Sequence, residues 1–342
     1  MKIANFDTDK KVFIIAELSA NHSGSLQTAL DTIKAAKRAG ADAIKLQTYT
    51  PDSLTLDSRG EDFMIKGGLW DGANLYELYR QALTPREWHE QLFSAARDEG
   101  LVCFSSPFCN DDTDFLEKFN PPAYKIASFE VTDYDFVRYV ALKGKPIIIS
   151  TGIATEQEIA DVVQICKDAG NERIALLKCT SSYPAPLDGM NLRTIADMKR
   201  KFGVEIGFSD HTLGIVAPVV AVSLGARIVE KHFILDKSVR SVDEAFSLDE
   251  REFSEMVKAV RDAEALLGKV NYELDDKAVQ NRRFSRSLYA CADIKEGEIF
   301  SEKNVKSVRP GYGLHPKFLP ELLGKKAKRD IKFSERITKE DI

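Results

Sequence analysis

Short apolar runs rich in β-branched residues recur along the chain. They are VFIIAEL (12–18), AIKLQTY (43–49), LVCFSSP (101–107), AYKIAS (123–128), PIIISTG (146–152), IALLKCT (174–180), EIGFSD (205–210) and RIVEKH (227–232). Each reads as a buried parallel strand. Stretches with helical spacing lie between them, such as SLQTALDTIKAAKRAG and TEQEIADVVQICKDAG. Both end on glycine, and the second opens with a capping box from Thr155 to Glu158. A last helix, from about 248 to 267, follows the eighth strand. Eight strands alternating with eight helices predict an α/β fold, a closed (β/α)8 TIM barrel. A doubly wound open sheet is the main competitor. Against it, no G-x-G-x-x-G follows the first strand.

Each run is apolar at first and turns polar at its C-terminal end. The end residues are Glu17, Lys45 with Gln47, Ser105 with Ser106, Lys125 with Ser128, Ser150 with Thr151, Lys178 with Thr180, Ser209 with Asp210 and His211, and Glu230 with His232. A barrel presents these ends on one face, where catalytic groups gather. Surfacing strands alone would account for serines and threonines. They account less well for lysines, glutamates and histidines above such apolar strand interiors.

After the last helix, GKVNYELDDKAVQNRR reads as a linker. Beyond it DIKEGEIFSEKNV (293–305) is echoed by DIKFSERITKEDI (330–342), which predicts a small pseudo-twofold domain. The expected organisation is a barrel over 1–267, a linker over 268–282 and a small domain over 283–342, which contains the turn RPGYG (309–313). A plain C-terminal cap on the barrel would account for that domain equally well.

Composition narrows the picture. The net charge of −5 gives no nucleic-acid signal, so an anionic substrate needs a local basic cluster. The five cysteines are odd in number and form no C-x-x-C pair, which fits a reducing cytoplasm better than a disulfide framework. The N-terminus MKIANFDTDKK is polar, unlike a signal peptide, and no apolar run approaches the ~20 residues of a membrane helix.

His211 and His232 end neighbouring strands, so both imidazoles can point into one mouth and bind a divalent metal. Glu17 and Glu230 could complete its shell, directly or through water. Lys45 and Lys125 form the basic part of the same mouth. With Ser106, Ser128, Ser150 and Ser209 they make a cradle for phosphate and carboxylate, in which lysines supply charge and hydroxyls and loop N–H groups supply directional bonds. An aldolase using a Schiff base is a rival reading, but it needs one desolvated lysine rather than several beside a metal. A sugar-binding scaffold without catalysis is another, and it leaves the charged cluster unexplained.

AELSANHSGS (16–25), IKLQTY (44–49), AYKIASFE (123–130), STGIAT (150–155), KCTSSYP (178–184), GFSDHTLG (207–214), EKHFILDK (230–237) and VRPGYG (308–313), taken in this order, resemble the sialic acid synthase family. The C-terminal part resembles that family's antifreeze-like (SAF) domain. The resemblance implies condensation of phosphoenolpyruvate with an open-chain N-acetylated amino sugar, releasing a nonulosonic acid and phosphate by C–O cleavage. It implies metal ligation by His211 and His232, with manganese the favoured ion and magnesium or cobalt the alternatives. It places phosphoenolpyruvate on Lys45, Ser106, Lys125, Ser128, Ser150 and Ser209. Glu17 falls near the forming bond, and Glu130, Tyr183 and Asp243 fall around phosphoenolpyruvate or sugar. Arg309 matches the arginine that the family's C-terminal domain inserts into a partner subunit's barrel, which implies a homodimer with swapped lids.

Several segments depart from the general pattern of the family. KGGLWDGANLYELY (66–79) carries Leu69 and Trp70 in place of a polar stretch, and Lys178 stands where a strand-six histidine is usual. KSVRSVDEAFSLD (237–249) replaces a loop rich in glycine and proline. With NRRFSRSLYA (281–290) and GLHPKF (313–318), these segments resemble the pseudaminic acid synthase branch. Its acceptor, 2,4-diacetamido-2,4,6-trideoxy-L-altrose, ends in a methyl group, for which a wall of Leu69 and Trp70 has a physical rationale. The alternatives are N-acetylneuraminate or legionaminate synthesis from N-acetylmannosamine or its 2,4-diacetamido analogue. Membrane and nucleic-acid partners are not expected.

Overall fold

A computed structural model describes residues 1–342. It divides into two compact units, Met1–Gly268 and Lys269–Ile342. In the first, eight parallel strands close on one another: β1 (Phe13–Glu17), β2 (Ala43–Thr48), β3 (Val102–Pro107), β4 (Tyr124–Ile126), β5 (Ile147–Ser150), β6 (Ile174–Cys179), β7 (Glu205–Asp210) and β8 (Ile228–His232). The β8 strand pairs with β1, Ile228 opposite Phe13 and His232 opposite Glu17, and so completes the ring. The (β/α)8 barrel expected from the hydrophobic pattern is therefore the fold.

One helix follows each strand: α1 (Leu26–Arg38), α2 (His89–Asp98), α3 (Asn110–Glu117), α4 (Tyr134–Leu142), α5 (Glu156–Asp168), α6 (Thr194–Phe202), α7 (Val216–Ser223) and α8 (Glu250–Leu267). Local signals set their limits. Thr155 and Glu158 form the capping box that starts α5, and Asp249 and Glu252 form another that starts α8. Gly203, in the left-handed region, stops α6. Between β2 and α2 the chain makes a long excursion that carries a further helix, Leu75–Ala82.

Because side chains alternate across a strand, the barrel has two apolar layers. Ile14, Ile44, Ile149, Leu176, Ile206 and Val229 face the helices. Phe13, Ile15, Ala43, Phe104, Ala123, Ile148, Ala175, Leu177 and Ile228 fill the interior. Ile3, from a two-stranded N-terminal hairpin (Lys2–Ile3 with Phe6–Asp7), joins the inner cluster and plugs the end opposite the catalytic face. Beside it Thr8 Oγ1 donates to Glu205 at 2.6 Å. The polar N-terminal sequence gave no sign of this plug.

The second unit has a core of Leu288, Ile294, Phe300, Val305, Leu322, Ile331 and Ile337 around the antiparallel pair β9 (Ser287–Ala290) and β10 (Val305–Val308). Its internal echo is structural. Asp293 of the first copy takes Lys332 of the second at 3.1 Å, and Asp330 of the second takes Lys295 of the first at 2.8 Å. Ile294 bridges Ile331 between them.

Inside the barrel, Gly207 stands at an inward position where there is no room for a side chain. A Cβ there would lie 2.6 Å from Ile228 Cβ, from Ile228 O and from Leu177 Cδ2. All three belong to the two adjoining strands, Ile228 to β8 and Leu177 to β6, and one is backbone, so relief would require strand displacement. Gly207→Ala is expected to lower the unfolding free energy by about 2 kcal/mol in urea titration. A variant as stable as the parent would contradict this account of strand packing.

Candidate active site

Moving two residues beyond the apolar interior on each strand changes the chemistry. Ile15 gives way to Glu17, Ala43 to Lys45, Phe104 to Ser106, Ala123 to Lys125, Ile148 to Ser150, Leu177 to Cys179, Gly207 to Ser209 and Ile228 to Glu230. All eight inward positions of this layer are polar or carry a thiol, and the layer rests directly on the apolar plug. One further inward step brings His211 and His232 to the mouth.

The layer is crossed by buried charges. Lys45 contacts Glu17 and lies 3.1 Å from Glu230, while Lys125 lies 3.7 Å from Glu230. All four side chains are at least nine-tenths buried. Ser209 Oγ donates to Glu230 at 2.9 Å. Burial pulls the Lys45 ammonium down to about 7, against the opposing attraction of Glu230. Burial would raise Glu230, but Lys125 and Lys45 outweigh it and hold that carboxyl below the usual range.

Around these charges several buried polar atoms have no protein partner. They include Ser106 Oγ, Ser150 Oγ, Ser181 Oγ and Glu130 Oε2. Such atoms are costly to bury unless a ligand or water meets them. Ser128 Oγ accepts from Gly152 N at 3.1 Å. A Cβ on Gly152 would come within 2.9 Å of that hydroxyl, so the Ser150-Thr151-Gly152 turn depends on the glycine to bring main chain close to the cradle. Burial raises Glu130 to about 7, with Lys125 opposing.

His211 and His232 face each other with ring centroids 5.3 Å apart. His211 Nδ1 lies 3.2 Å from Thr180 O, which leaves Nε2 directed elsewhere. His232 Nδ1 is buried without a hydrogen-bond partner, 3.6 Å from Asp243 Oδ2. Burial and the nearby cations keep His232 neutral, the form in which imidazole binds metals. No group of three His, Cys, Asp or Glu residues encloses an ion by itself. The two imidazoles fit a cation that completes its shell with water or substrate oxygens, as an open catalytic site requires.

An aromatic wall stands over the pair. Tyr183 lies 4.4 Å from His211 by ring centroids, Phe246 lies 4.8 Å from His232, and Trp70 packs on Tyr183 at 5.7 Å. Trp70 comes from the β2–α2 excursion, Tyr183 from the loop after β6, and Asp243 and Phe246 from the loop after β8. Arg309 is exposed and belongs to the second unit, following β10.

Side-chain alternation also corrects the list of strand-end polar residues. Lys178 shares the outward parity of Leu176, and its ammonium folds back on Cys179 O at 2.7 Å. The inward residue of β6 is Cys179, whose Sγ lies 3.8 Å from His211 Nδ1. Ser105, Thr151 and Asp210 face outward as well. Ser181 and Phe246 were also missed. Ser181 lies within the KCTSSYP segment, and Phe246 reads in sequence as an ordinary core residue.

Comparison with known proteins identifies the family and agrees with the fold. The NeuB family model matches residues 32–272, and the SAF domain model matches residues 285–342. The pseudaminic acid synthase of Campylobacter jejuni is 62% identical over 341 residues, covering 100% of this chain and 99% of that one. The pseudaminic acid synthase of Helicobacter pylori is 46% identical, covering 96% and 97%. The crystal structure of the spore coat polysaccharide biosynthesis protein SpsE of Bacillus subtilis has a TM-score of 0.68 at 34% identity, covering 100% of this chain and 98% of that one. The chain therefore belongs to the NeuB family, the family of sialic acid synthases that its motifs resemble, and carries a SAF domain.

Proposed function

We propose that this chain condenses phosphoenolpyruvate with 2,4-diacetamido-2,4,6-trideoxy-L-altrose to give pseudaminic acid and phosphate. The observation that carries the reading is the ring of inward strand-end residues, in which two buried lysines and unpartnered hydroxyls adjoin paired histidines. Its similarity to pseudaminic acid synthases over the full chain supports the choice of sugar.

Lys45 and Lys125 offset the charge of phosphate and carboxylate, and Ser106, Ser128, Ser150 and Ser209 supply directional hydrogen bonds. Ser181 adds a further hydroxyl to the same cradle. His211 and His232 would hold a divalent cation, manganese by preference, which supplies Lewis-acid polarisation of the sugar aldehyde. C3 of phosphoenolpyruvate attacks the aldehyde carbon, and positive charge develops at C2. Glu17 supports that charge and takes a proton from the water that adds at C2. The tetrahedral intermediate then expels phosphate by C–O cleavage. Glu130, Tyr183 and Asp243 surround phosphoenolpyruvate or the sugar, and Trp70 packs near the sugar's methyl terminus.

The lid is part of the proposal. Leu69, Phe129, Ile153, Leu187 and Leu213 are exposed on loops following β2, β4, β5, β6 and β7, an apolar collar around a charged mouth. Such a collar on a catalytic face suits a protein surface that covers it. Residues 283–342 carry 14 Lys and Arg against 9 Asp and Glu, opposite in sign to the chain's net −5. We place the SAF domain of one subunit over the barrel of its homodimer partner, with Arg309 reaching the substrate anions. All five cysteines are free, which supports a reducing, cytoplasmic setting.

Two measurements test these statements. With phosphoenolpyruvate and Mn2+, phosphate release is expected to be at least about tenfold faster with the altrose derivative than with N-acetylmannosamine. The reverse order would overturn the sugar assignment. Mixing Arg309→Ala with His232→Ala, each inactive alone, is expected to restore up to about a quarter of parental activity through mixed dimers. No recovery on mixing would contradict a lid donated across subunits.

A further inference from the structure

A second ion pair lies outside the barrel lumen. Asp210 and Lys231 have outward parity, stand directly opposite each other in the β7–β8 register, and meet at 2.6 Å with neither side chain exposed. Many outward positions on the other strands, such as Ile14, Ile44, Ile149 and Leu176, are aliphatic. A buried ion pair is a poor substitute for such packing as far as stability goes, because desolvation offsets most of the attraction. Its contribution here is geometric. Asp210 Oδ1 accepts from Thr212 N at 2.8 Å, and Lys231 Nζ also donates to Thr212 O. The pair thus holds the chain on both sides of His211, while Lys231 immediately precedes His232. One buried contact sets the relative position of the two strand ends that carry the imidazoles.

We propose that Asp210 and Lys231 are positioning residues that fix the separation of His211 and His232, and with it the affinity of the site for a divalent cation. The proposal rests on the reading of those histidines as metal ligands. It assigns the pair no contact with substrate or metal. Second-shell groups that orient ligands typically change metal affinity by about 10- to 100-fold when removed.

The test is the Asp210→Asn/Lys231→Met double variant, in which neither partner leaves a buried charge unpaired. Mn2+ binding is followed by electron paramagnetic resonance, alongside thermal unfolding and phosphoenolpyruvate binding in metal-free protein. The expected result is a folded protein whose phosphoenolpyruvate affinity is within about twofold of the parent and whose Mn2+ Kd rises at least about tenfold, with kcat recovering at high Mn2+. A folded double variant with parental Mn2+ affinity overturns the proposal. If the double variant does not fold, Asp210→Asn alone serves, since its amide still accepts from Thr212 N while the ion pair to Lys231 is lost. Its Mn2+ affinity is expected to fall several-fold, and an unchanged value overturns the proposal equally. Failure of the parent protein to bind Mn2+ would instead remove the metal reading itself, a result visible before any variant is made.

Discussion

The barrel closes its catalytic end with four buried charges, and the rest of the site is arranged around them. Lys45 and Lys125 would each be expensive to bury alone, and so would Glu17 and Glu230. Together they are tolerable because Glu230 faces both lysines and Glu17 faces Lys45. The balance is not complete satisfaction. Lys45 is held near neutrality, and the hydroxyls of Ser106 and Ser150 find no protein partner. A layer of this kind is poised for an anion bearing both phosphate and carboxylate. The apolar plug below it excludes water from the other side, so the charges act in a medium where they are strong.

The same alternation that builds the plug divides the labour of the strand ends. Inward residues line the mouth, and outward residues meet the helices. On β7 and β8 the two roles are coupled. Ser209 and Glu230 face in, Asp210 and Lys231 face out, and the histidines follow. A geometry needed for chemistry is therefore fixed by a contact that never reaches the mouth. Loops then add what strands cannot. Trp70, Tyr183, Asp243 and Phe246 come from three different connections and form the wall above the histidines.

Much of this was legible in the sequence, for a physical reason. Parallel strands covered on both faces are continuous apolar runs, so their number and order stand out, and the number sets closure. Charged residues at strand ends are rare enough to mark the mouth. The side of the strand was harder to read, because both faces are buried. For that reason Lys178 looked like a mouth residue and Cys179 did not. Counting alternate positions from Ile174 would have reversed them. The Asp210–Lys231 contact lay hidden because it joins residues 21 positions apart on outward faces. The N-terminal plug rests on Ile3, one apolar residue in a polar segment. The echo of the C-terminal domain was plain because its two copies exchange the same Asp–Lys contact.

The central claim is that the buried charges form a site prepared for a multiply charged anion. Such a ligand should raise the proton affinity of every group around it, Lys45 and Glu130 first, since both stand at about 7. At about pH 8 a phosphate monoester is already fully ionised, so the ligand has no proton to release. Calorimetric titration of phosphoenolpyruvate into metal-free protein at that pH, in buffers of different ionisation enthalpy, measures the proton balance directly. The account predicts net proton uptake, reduced in Lys45→Met to the share taken up by Glu130. Binding with no proton exchange, or with release, would contradict it.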